Sequence, residues 1–200
     1  VSGGISIDST FNNIQLKQLK MRTTDSDIYT ETDLDFNIAD AHHPGQMKMR
    51  LNAMLGKQDL MSFLGDMPQH FIQHYPNHPL HILGSINGNV QQMDFTGLNI
   101  SLLSAFDMNV SGTAGLSTKD QSLACDLDVR AKAQDINFLL ALADPSLMKQ
   151  YRIPHGMTLD GTLKIEGSKF ATNFTAHEGK GIVKAKADAI IPKNAKGDMV

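Results

Sequence analysis

Histidines are the residues of this sequence best suited to bind a metal. His70 and His74 stand four positions apart in a segment with helical periodicity, and His78 and His81 follow them closely. Two histidines at positions i and i+4 lie on one face of a helix and can chelate zinc or nickel. Asp66 is a weak third ligand, and no cysteine stands nearby. The pattern therefore favours a polar helix face followed by a loop, and we predict no metal or other cofactor.

Nucleophilic and acid–base catalysis have equally little support. Cys125 stands between Leu123 and Leu127 in an alternating segment, where a cysteine is typically a small buried hydrophobic residue. A catalytic pair of carboxylates needs one acid in a shielded site. The alternating carboxylates are instead expected to face solvent; they are Asp33, Asp35, Asp126 and Asp128. The sequence also lacks phosphate-loop, dinucleotide and zinc-protease motifs, so we predict that the protein is not an enzyme.

Composition narrows the class of protein. The 200 residues are 41% hydrophobic and 20% charged, and their formal net charge of -3 argues against nucleic-acid binding through charge alone. A single cysteine excludes an intramolecular disulfide. No apolar run reaches the ~18 residues that a membrane-spanning helix needs. The chain begins with valine, and we expect it to be a segment of a longer protein.

Alternation of apolar and polar residues runs through most of the chain and predicts amphipathic β-strands. This pattern places apolar side chains on one face of a sheet and charged side chains on the other, as is typical of antiparallel sheets. The alternating segments are residues 34–38, 47–55, 80–86, 106–110, 123–131 and 159–165. Turns are predicted at residues 43–45, Gly112, Gly115 and residues 178–181.

Two segments change to a period near 3.6 and predict short amphipathic helices. Their apolar positions are Leu60, Phe63, Leu64, Met67 and Phe71 in the first and Ile136, Leu139, Leu140 and Ala143 in the second. Asp59 and Asp135 each precede the first apolar position and are predicted to cap free backbone N–H groups. Pro68 and Pro145 are predicted to kink each helix or to start a second short one.

The two halves of the chain share one order of residue types. With a shift of 76 positions, residues 47–67 align with residues 123–143; with a shift of 77, residues 68–86 align with residues 145–163. Asp144 is then one extra residue. We predict two strand–helix–strand repeats of about 76 residues, over about 28–103 and 104–180, within one elongated β-rich segment covering residues 1–200.

The motifs of each repeat resemble those of the AsmA-like and TamB-like proteins of Gram-negative envelopes, in the form seen in Bacteroidetes. An amphipathic strand is followed by Asp-Leu-x-x-Phe-Leu at residues 59–64, by Pro68, and by Pro-Leu-x-Ile-x-Gly-x-Ile-x-Gly at residues 79–88. The second copy has the same form at residues 135–140, 153–154 and 157–163. The resemblance covers most of residues 30–190 and suggests a fragment of the periplasmic β-rich repeat region.

This resemblance implies a curved antiparallel sheet that forms an open trough in the periplasm, in a parent chain anchored in the inner membrane. In this family the apolar face of the trough is thought to carry lipid acyl chains toward the outer membrane, and TamB-like members work with an outer-membrane β-barrel partner. We therefore predict a mainly β fold with two short amphipathic helices that guides phospholipid or other lipids and supports outer-membrane biogenesis. The predicted trough residues are Leu80, Ile82, Ile86, Phe106, Met108, Val110, Leu123, Leu127, Leu159 and Leu163.

Three alternatives stay open at this point. The trough residues are equally compatible with burial under a helix, and the eleven methionines with ordinary core packing. A structural or assembly module would instead bind client outer-membrane proteins by strand addition at open sheet edges. A metal protein or enzyme built on the histidines is the third alternative.

Overall fold

Eleven antiparallel strands form a single sheet in a computed structural model of this protein. The structure describes residues 1–10, 12–40, 42–117, 120–143 and 146–190. The strands are β1 (Ser2–Ile7), β2 (Asn13–Arg22), β3 (Asp27–Asp35), β4 (Met47–Leu55), β5 (Leu80–Asn89), β6 (Gln92–Leu102), β7 (Phe106–Leu116), β8 (Leu123–Ala133), β9 (Met157–Glu166), β10 (Lys169–Glu178) and β11 (Gly181–Ile190). Neighbours in the chain are neighbours in the sheet, and the sheet is not closed. The predicted mainly β antiparallel fold is therefore confirmed.

Short helices occupy two loops of this sheet. In the first loop, α1 (Lys57–Leu64) and α2 (Gln69–His74) connect β4 to β5. In the second, a 3₁₀ helix (Asn137–Leu139), α3 (Leu140–Ala143) and α4 (Leu147–Gln150) connect β8 to β9. The described part of the chain thus contains four short α-helices where the sequence predicted two.

Backbone geometry explains why the first predicted helix divides. Gly65 follows α1 with a φ of 74°, which glycine adopts at little cost and which ends the helix. Pro68 stands directly before α2, so its predicted role in starting a second short helix is confirmed. The corresponding prediction for Pro145, and the extra residue Asp144, lie outside the described residues.

Two predictions from alternation and glycine content were wrong. The strand pattern of residues 34–38 ends early, because Phe36–Ala39 forms a 3₁₀ helix in which the Asp35 side chain accepts a hydrogen bond from the Asn37 backbone N–H (2.7 Å). Gly112 and Gly115 lie inside β7 and not in turns. A Cβ at either position would collide with a backbone carbonyl oxygen of a neighbouring segment. Glycine therefore permits the two backbone segments to lie close together.

Asp59 holds α1 against the turn between β2 and β3, and does not cap the helix as predicted. Its carboxylate accepts hydrogen bonds from the hydroxyls of Ser26 (2.6 Å) and Thr23. The Ser26 hydroxyl oxygen in turn accepts the backbone N–H of Gly56 (2.9 Å), the residue that precedes α1. The hydrogen bonds from Ser26 and Thr23 lower the pKa of the Asp59 carboxyl. Helix and hairpin are therefore joined by one buried serine.

Asp135 accepts a free backbone N–H in the second loop, although the N-cap residue of the 3₁₀ helix is Ile136. Its carboxylate accepts the backbone N–H of Asn137 (3.1 Å) at the start of the 3₁₀ helix, as predicted. The Asn137 side chain also bonds both backbone groups of Ile153, accepting its N–H (2.7 Å) and donating to its carbonyl oxygen (3.1 Å). This amide closes the second helical loop on itself.

The hydrophobic core lies at one end of the sheet, where the two helical loops meet. Its ring contacts join Phe71 to Tyr75 (5.7 Å between centroids), Phe71 to Phe138 (5.9 Å) and Tyr75 to Phe138 (5.5 Å). Leu102 and Ala105, at the turn between β6 and β7, pack beneath them and are 1% and 0% exposed. Burial raises the pKa of Tyr75 to about 12, and its hydroxyl has no hydrogen-bond partner among the described residues.

Truncation of Leu102 tests the importance of this core. We expect Leu102→Ala to lower the free energy of unfolding by about 3 kcal/mol, because it leaves a cavity under the helices. The adjacent Leu103 is 67% exposed, so Leu103→Ala is the matched control with an expected change below about 0.5 kcal/mol. Urea unfolding followed by circular dichroism measures both values. Equal effects of the two substitutions would contradict the placement of the core.

Acid should loosen the contact between α1 and the β2–β3 turn. Because the folded-state pKa of Asp59 is lowered, the ionised carboxylate stabilises the fold above its ordinary pKa of 3.8, and this contribution disappears as pH falls through the lower folded-state pKa. We expect Asp59→Asn to be less stable than wild type near neutral pH, with the difference shrinking in strong acid. Urea unfolding across pH checks this, with Asp128→Asn on an exposed strand position as control. A constant difference at all pH values would contradict it.

Candidate functional site

Mostly apolar side chains share one face of the sheet, which we call the apolar face. Directly paired residues of antiparallel strands share a face, so the register identifies its members. One row across all eleven strands is Ile5, Leu16, Thr32, Met49, Ile86, Phe95, Gly112, Leu127, Leu163, Thr172 and Ala187. A parallel row over β2 to β11 is Met21, Ile28, Ala53, Ile82, Ile100, Met108, Ala131, Leu159, Ala176 and Val183.

Two β-bulges preserve this face where strict alternation fails. The pairing of β2 with β3 is interrupted between Leu16 and Leu19, and the pairing of β6 with β7 between Phe95 and Leu98. Each bulge inserts one residue, so side chains three positions apart share a face. Simple alternation therefore missed Phe95 and Leu98. The signal that could have found them is Gly97, whose φ of 59° suits a bulge.

The apolar face is only partly shielded from water. Met49, Leu127 and Leu163 have intermediate exposure, and the main contacts of each strand are with its neighbours in the sheet. The helices cluster with one another at one end of the strands. In the described ranges, no second sheet or helical layer packs over the middle of the face. Most of these side chains are therefore neither sealed in a core nor fully hydrated.

All ten predicted trough residues lie on the apolar face. They belong to β5 (Leu80, Ile82, Ile86), β7 (Phe106, Met108, Val110), β8 (Leu123, Leu127) and β9 (Leu159, Leu163). Leu80 and Phe106 also pack against the helical core, whereas Leu123 is 43% exposed at the opposite end of its strand. Contact with lipid, and the trough shape itself, stay predictions.

Strand β10 also contributes to the apolar face, although no residue of β10 was among the predicted trough residues. Phe170 pairs with Ile165 and Phe174 pairs with Gly161, so both rings extend the apolar face beyond β9. A Cβ at Gly161 would collide with the Phe174 ring, which shows that the ring lies over the glycine. The glycine thus provides room for a large side chain on the neighbouring strand. The available signal in the sequence was Gly161 itself, a glycine at an apolar position of the alternating segment 159–165.

The opposite face, which we call the polar face, carries the charged partners of the alternating pattern. Lys164 and Asp126 form an ion pair of 2.6 Å across β9 and β8, and Arg130 and Asp160 one of 3.7 Å. All four side chains are more than half exposed, so each pair contributes little to stability. These exposed charged side chains make the polar face a hydrated surface, on the opposite side of the sheet from the apolar face.

The candidate metal ligands and catalytic acids do not converge. His70 and His74 lie in α2, where the His74 Nδ1 is 2.8 Å from the His70 carbonyl oxygen. Among the described residues, no group of three histidine, cysteine, aspartate or glutamate side chains is arranged to hold a metal ion. Asp33 and Asp126 lie on the polar face of strands β3 and β8, which are separated by four intervening strands.

Cys125 lies on the apolar face, where it pairs with Ala114 and Ile165. It is partly exposed, and burial raises the pKa of its thiol. The thiol is therefore less ionised near neutral pH than a free cysteine, whereas a nucleophilic cysteine requires the opposite shift. Its position instead makes it a single chemical reporter for this surface.

Comparisons with protein-family models, curated proteins and solved structures found no match to this chain. The resemblance to AsmA-like and TamB-like proteins therefore stays a prediction from the sequence motifs. None of the helices in the described ranges combines the length and hydropathy that a membrane-spanning helix requires.

Thiol labelling tests the two-faced arrangement. We expect a maleimide to react several-fold more slowly with Cys125 than with the thiol of a Cys125→Ala, Asp126→Cys variant. The first thiol is partly covered and its pKa is raised, whereas position 126 is exposed and faces Lys164. Mass spectrometry of timed samples measures both rates. Faster labelling of Cys125 would contradict the assignment of the faces.

Proposed function

We propose that this protein is a non-enzymatic module of a Gram-negative cell envelope that guides lipids by holding their acyl chains against the apolar face. The observation that carries the proposal is the largely apolar face itself, which crosses the sheet from β2 to β10 with intermediate exposure at most positions. A surface of this kind favours long, flexible apolar ligands over a compact molecule held in one pocket.

Solvation energy supplies the driving force. Each CH₂ group of an acyl chain that leaves water gains about 0.8 kcal/mol, without any directional contact. Side chains such as Met49, Met108 and Leu127 offer such contact without polar groups that would fix one ligand in place. Binding is thereby spread over many weak contacts, which permits a chain to move along the face. Such a device requires no catalytic residue and no cofactor.

A repeated architecture would extend this face over a long distance. The two helical loops occupy the same place in the strand order, after β4 and after β8. We propose that these features reflect two repeats, over about 28–103 and 104–180, in one elongated segment of a longer chain.

The helices would then close one rim of a trough. Their core contacts the row formed by Leu55, Leu80, Leu102 and Phe106, at one end of the strands. The middle of the apolar face stays open to an acyl chain that runs across the strands. Periplasmic location, an inner-membrane anchor in the parent chain and an outer-membrane β-barrel partner belong to the same proposal and depend on the sequence resemblance.

Strand addition is the second candidate function, and β11 favours it. All ten residues of Gly181–Ile190 are exposed, and they pair with β10 in an uninterrupted register. The outer edge of β11 therefore presents regular backbone donors and acceptors to a further strand. A client outer-membrane protein bound there would make this an assembly module.

Photo-crosslinking distinguishes the two faces and the two functions. We expect a photoreactive residue in place of Val110 to capture lipid from cells, because that side chain points to the apolar face. The same residue in place of Asn109, on the polar face of the same strand, is the matched control and should capture none. Lipid extraction and mass spectrometry of the adducts provide the measurement.

A third position separates the alternatives. A photoreactive residue at Lys186 on β11 should trap a client protein if strand addition is the function. Protein adducts at Lys186 without lipid adducts at Val110 would favour the assembly module and overturn the lipid proposal. Equal lipid capture at Val110 and Asn109 would also overturn it, because it would remove the distinction between the faces.

A further inference from the structure

A concave site lies on the polar face at the β1 end of the sheet. Its volume is about 930 Å³, within the range of small-molecule sites. Its walls include Gly3 and Gly4 of β1 together with Ser85 and Asn87 of β5. Since three strands separate β1 from β5, the sheet curls toward its polar side here. We call this concavity the polar cleft.

Four basic side chains line the polar cleft: Lys17, Lys20, Lys48 and Arg50. Within the described residues, the ammonium groups of Lys17 and Lys48 make no hydrogen bond or ion pair, whereas Lys20 lies over the Tyr29 ring, 5.8 Å from its centroid. Neither ammonium group is therefore held in an ion pair, although Asp33 stands directly across from Lys48 in the register of β3 and β4. A concave surface lined by one sign of charge concentrates ligands of the opposite sign.

Two carboxylates also line the cleft, and each already has partners. Glu31 accepts a hydrogen bond from the Tyr29 hydroxyl (2.7 Å) and lies 3.9 Å from Arg50. Asp33 accepts from the Gln15 side-chain amide (3.4 Å). With four cations against two anions, the lining carries an excess of two positive charges. Glu31 is thus held by Tyr29 and Arg50, whereas Asp33 offsets part of the charge of Lys48, its neighbour across β3 and β4.

A strained backbone segment brings the lysines together. The bulge at Gln18, a non-glycine residue with φ of 51°, places Lys17 and Lys20 on the same face although they are three positions apart. Gly3 lies opposite with φ of 144°, and a Cβ there would approach the Leu19 Cα to 2.7 Å. This wall of the cleft thus depends on unusual backbone conformations in both β1 and β2.

This basic cluster is local and is not repeated along the sheet. With the shift of 76 positions, Lys48 and Arg50 correspond to Ala124 and Asp126 in the second half. The bulge of β6 has Thr96 before Gly97, where β2 has Lys17 before Gln18. The restriction to β2–β4 points to a ligand.

We propose that the polar cleft binds a phosphate-bearing anion through Lys17 and Lys48, with Lys20 and Arg50 adding positive potential. Phosphate oxygens accept several charge-assisted hydrogen bonds at once, which suits ammonium and guanidinium groups that line one concavity. Neutral donors at the rim, Gln15, Ser85 and Asn87, suit the ester or hydroxyl groups around a phosphate. The phosphate belongs either to a free small anion or to the headgroup of a lipid. This site lies on the face opposite the proposed acyl-chain surface and does not depend on it.

Calorimetric titration at low ionic strength tests the cleft with inorganic pyrophosphate as probe. We expect measurable binding to wild type and a loss of at least about tenfold in affinity for the Lys17→Ala, Lys48→Ala double variant. A Lys132→Ala, Lys184→Ala double variant removes the same charge from exposed positions of the polar face outside the cleft and should bind as wild type does. Thermal unfolding of each variant confirms that it is folded.

A second arm identifies the source of the phosphate. Flotation with vesicles of phosphatidylcholine alone, and of equal parts phosphatidylcholine and phosphatidylglycerol, reports headgroup binding. Anionic vesicles bound by wild type and the control, but not by the cleft variant, would assign a lipid headgroup; pyrophosphate binding alone would assign a free anion. Absence of binding to either probe, or an equal loss in the control variant, would overturn the proposal. Since Val110 crosslinking does not involve these lysines, the two proposals fail independently.

Discussion

Strand register is the constraint on which the rest of this structure depends. Side chains alternate between faces, so a slip of one residue in any pair would move a whole apolar set into the polar face. From β2 to β11 the pairing keeps the apolar sets aligned, and the bulges at Gln18 and Gly97 restore the alignment where the chain departs from strict alternation. One sheet with two chemically different faces is the result.

A sheet without a second layer needs another source of cohesion, and the helical core provides it. The two loops bring Phe71, Tyr75 and Phe138 together at one end of the strands, and the Asp59–Ser26 hydrogen bond fastens the first loop to the β2–β3 turn. Burial is concentrated there, which leaves the middle of the apolar face only partly covered. The same arrangement thus stabilises the fold and spares the surface to which we assign lipid contact.

The two faces suit different ligands because one is mostly apolar and the other carries hydrated charged groups. The apolar face offers hydrophobic contacts, which have no preferred direction. Such contacts favour acyl chains and let a bound chain move along the face. The polar cleft is lined by an excess of cations, which favours binding of an anion. The sheet itself separates these environments, so Lys48 and Met49, neighbours in β4, serve opposite surfaces. One strand could therefore contact two separate ligands, one on each face.

The sequence by itself determined the mainly β fold, the apolar alternation of β4, β5, β7, β8 and β9, and the place of the helical loops, because period and proline position are local properties. Tertiary structure decided what distant residues do together. It turned Asp59 from a helix cap into a link to Ser26, and it recruited Gly112 into a strand through close approach to β8. It also gathered Lys17 and Lys48 into one cleft, since β2 and β4 come near each other only through their pairing with β3. Contacts between residues far apart in the chain carry no signature in local spacing.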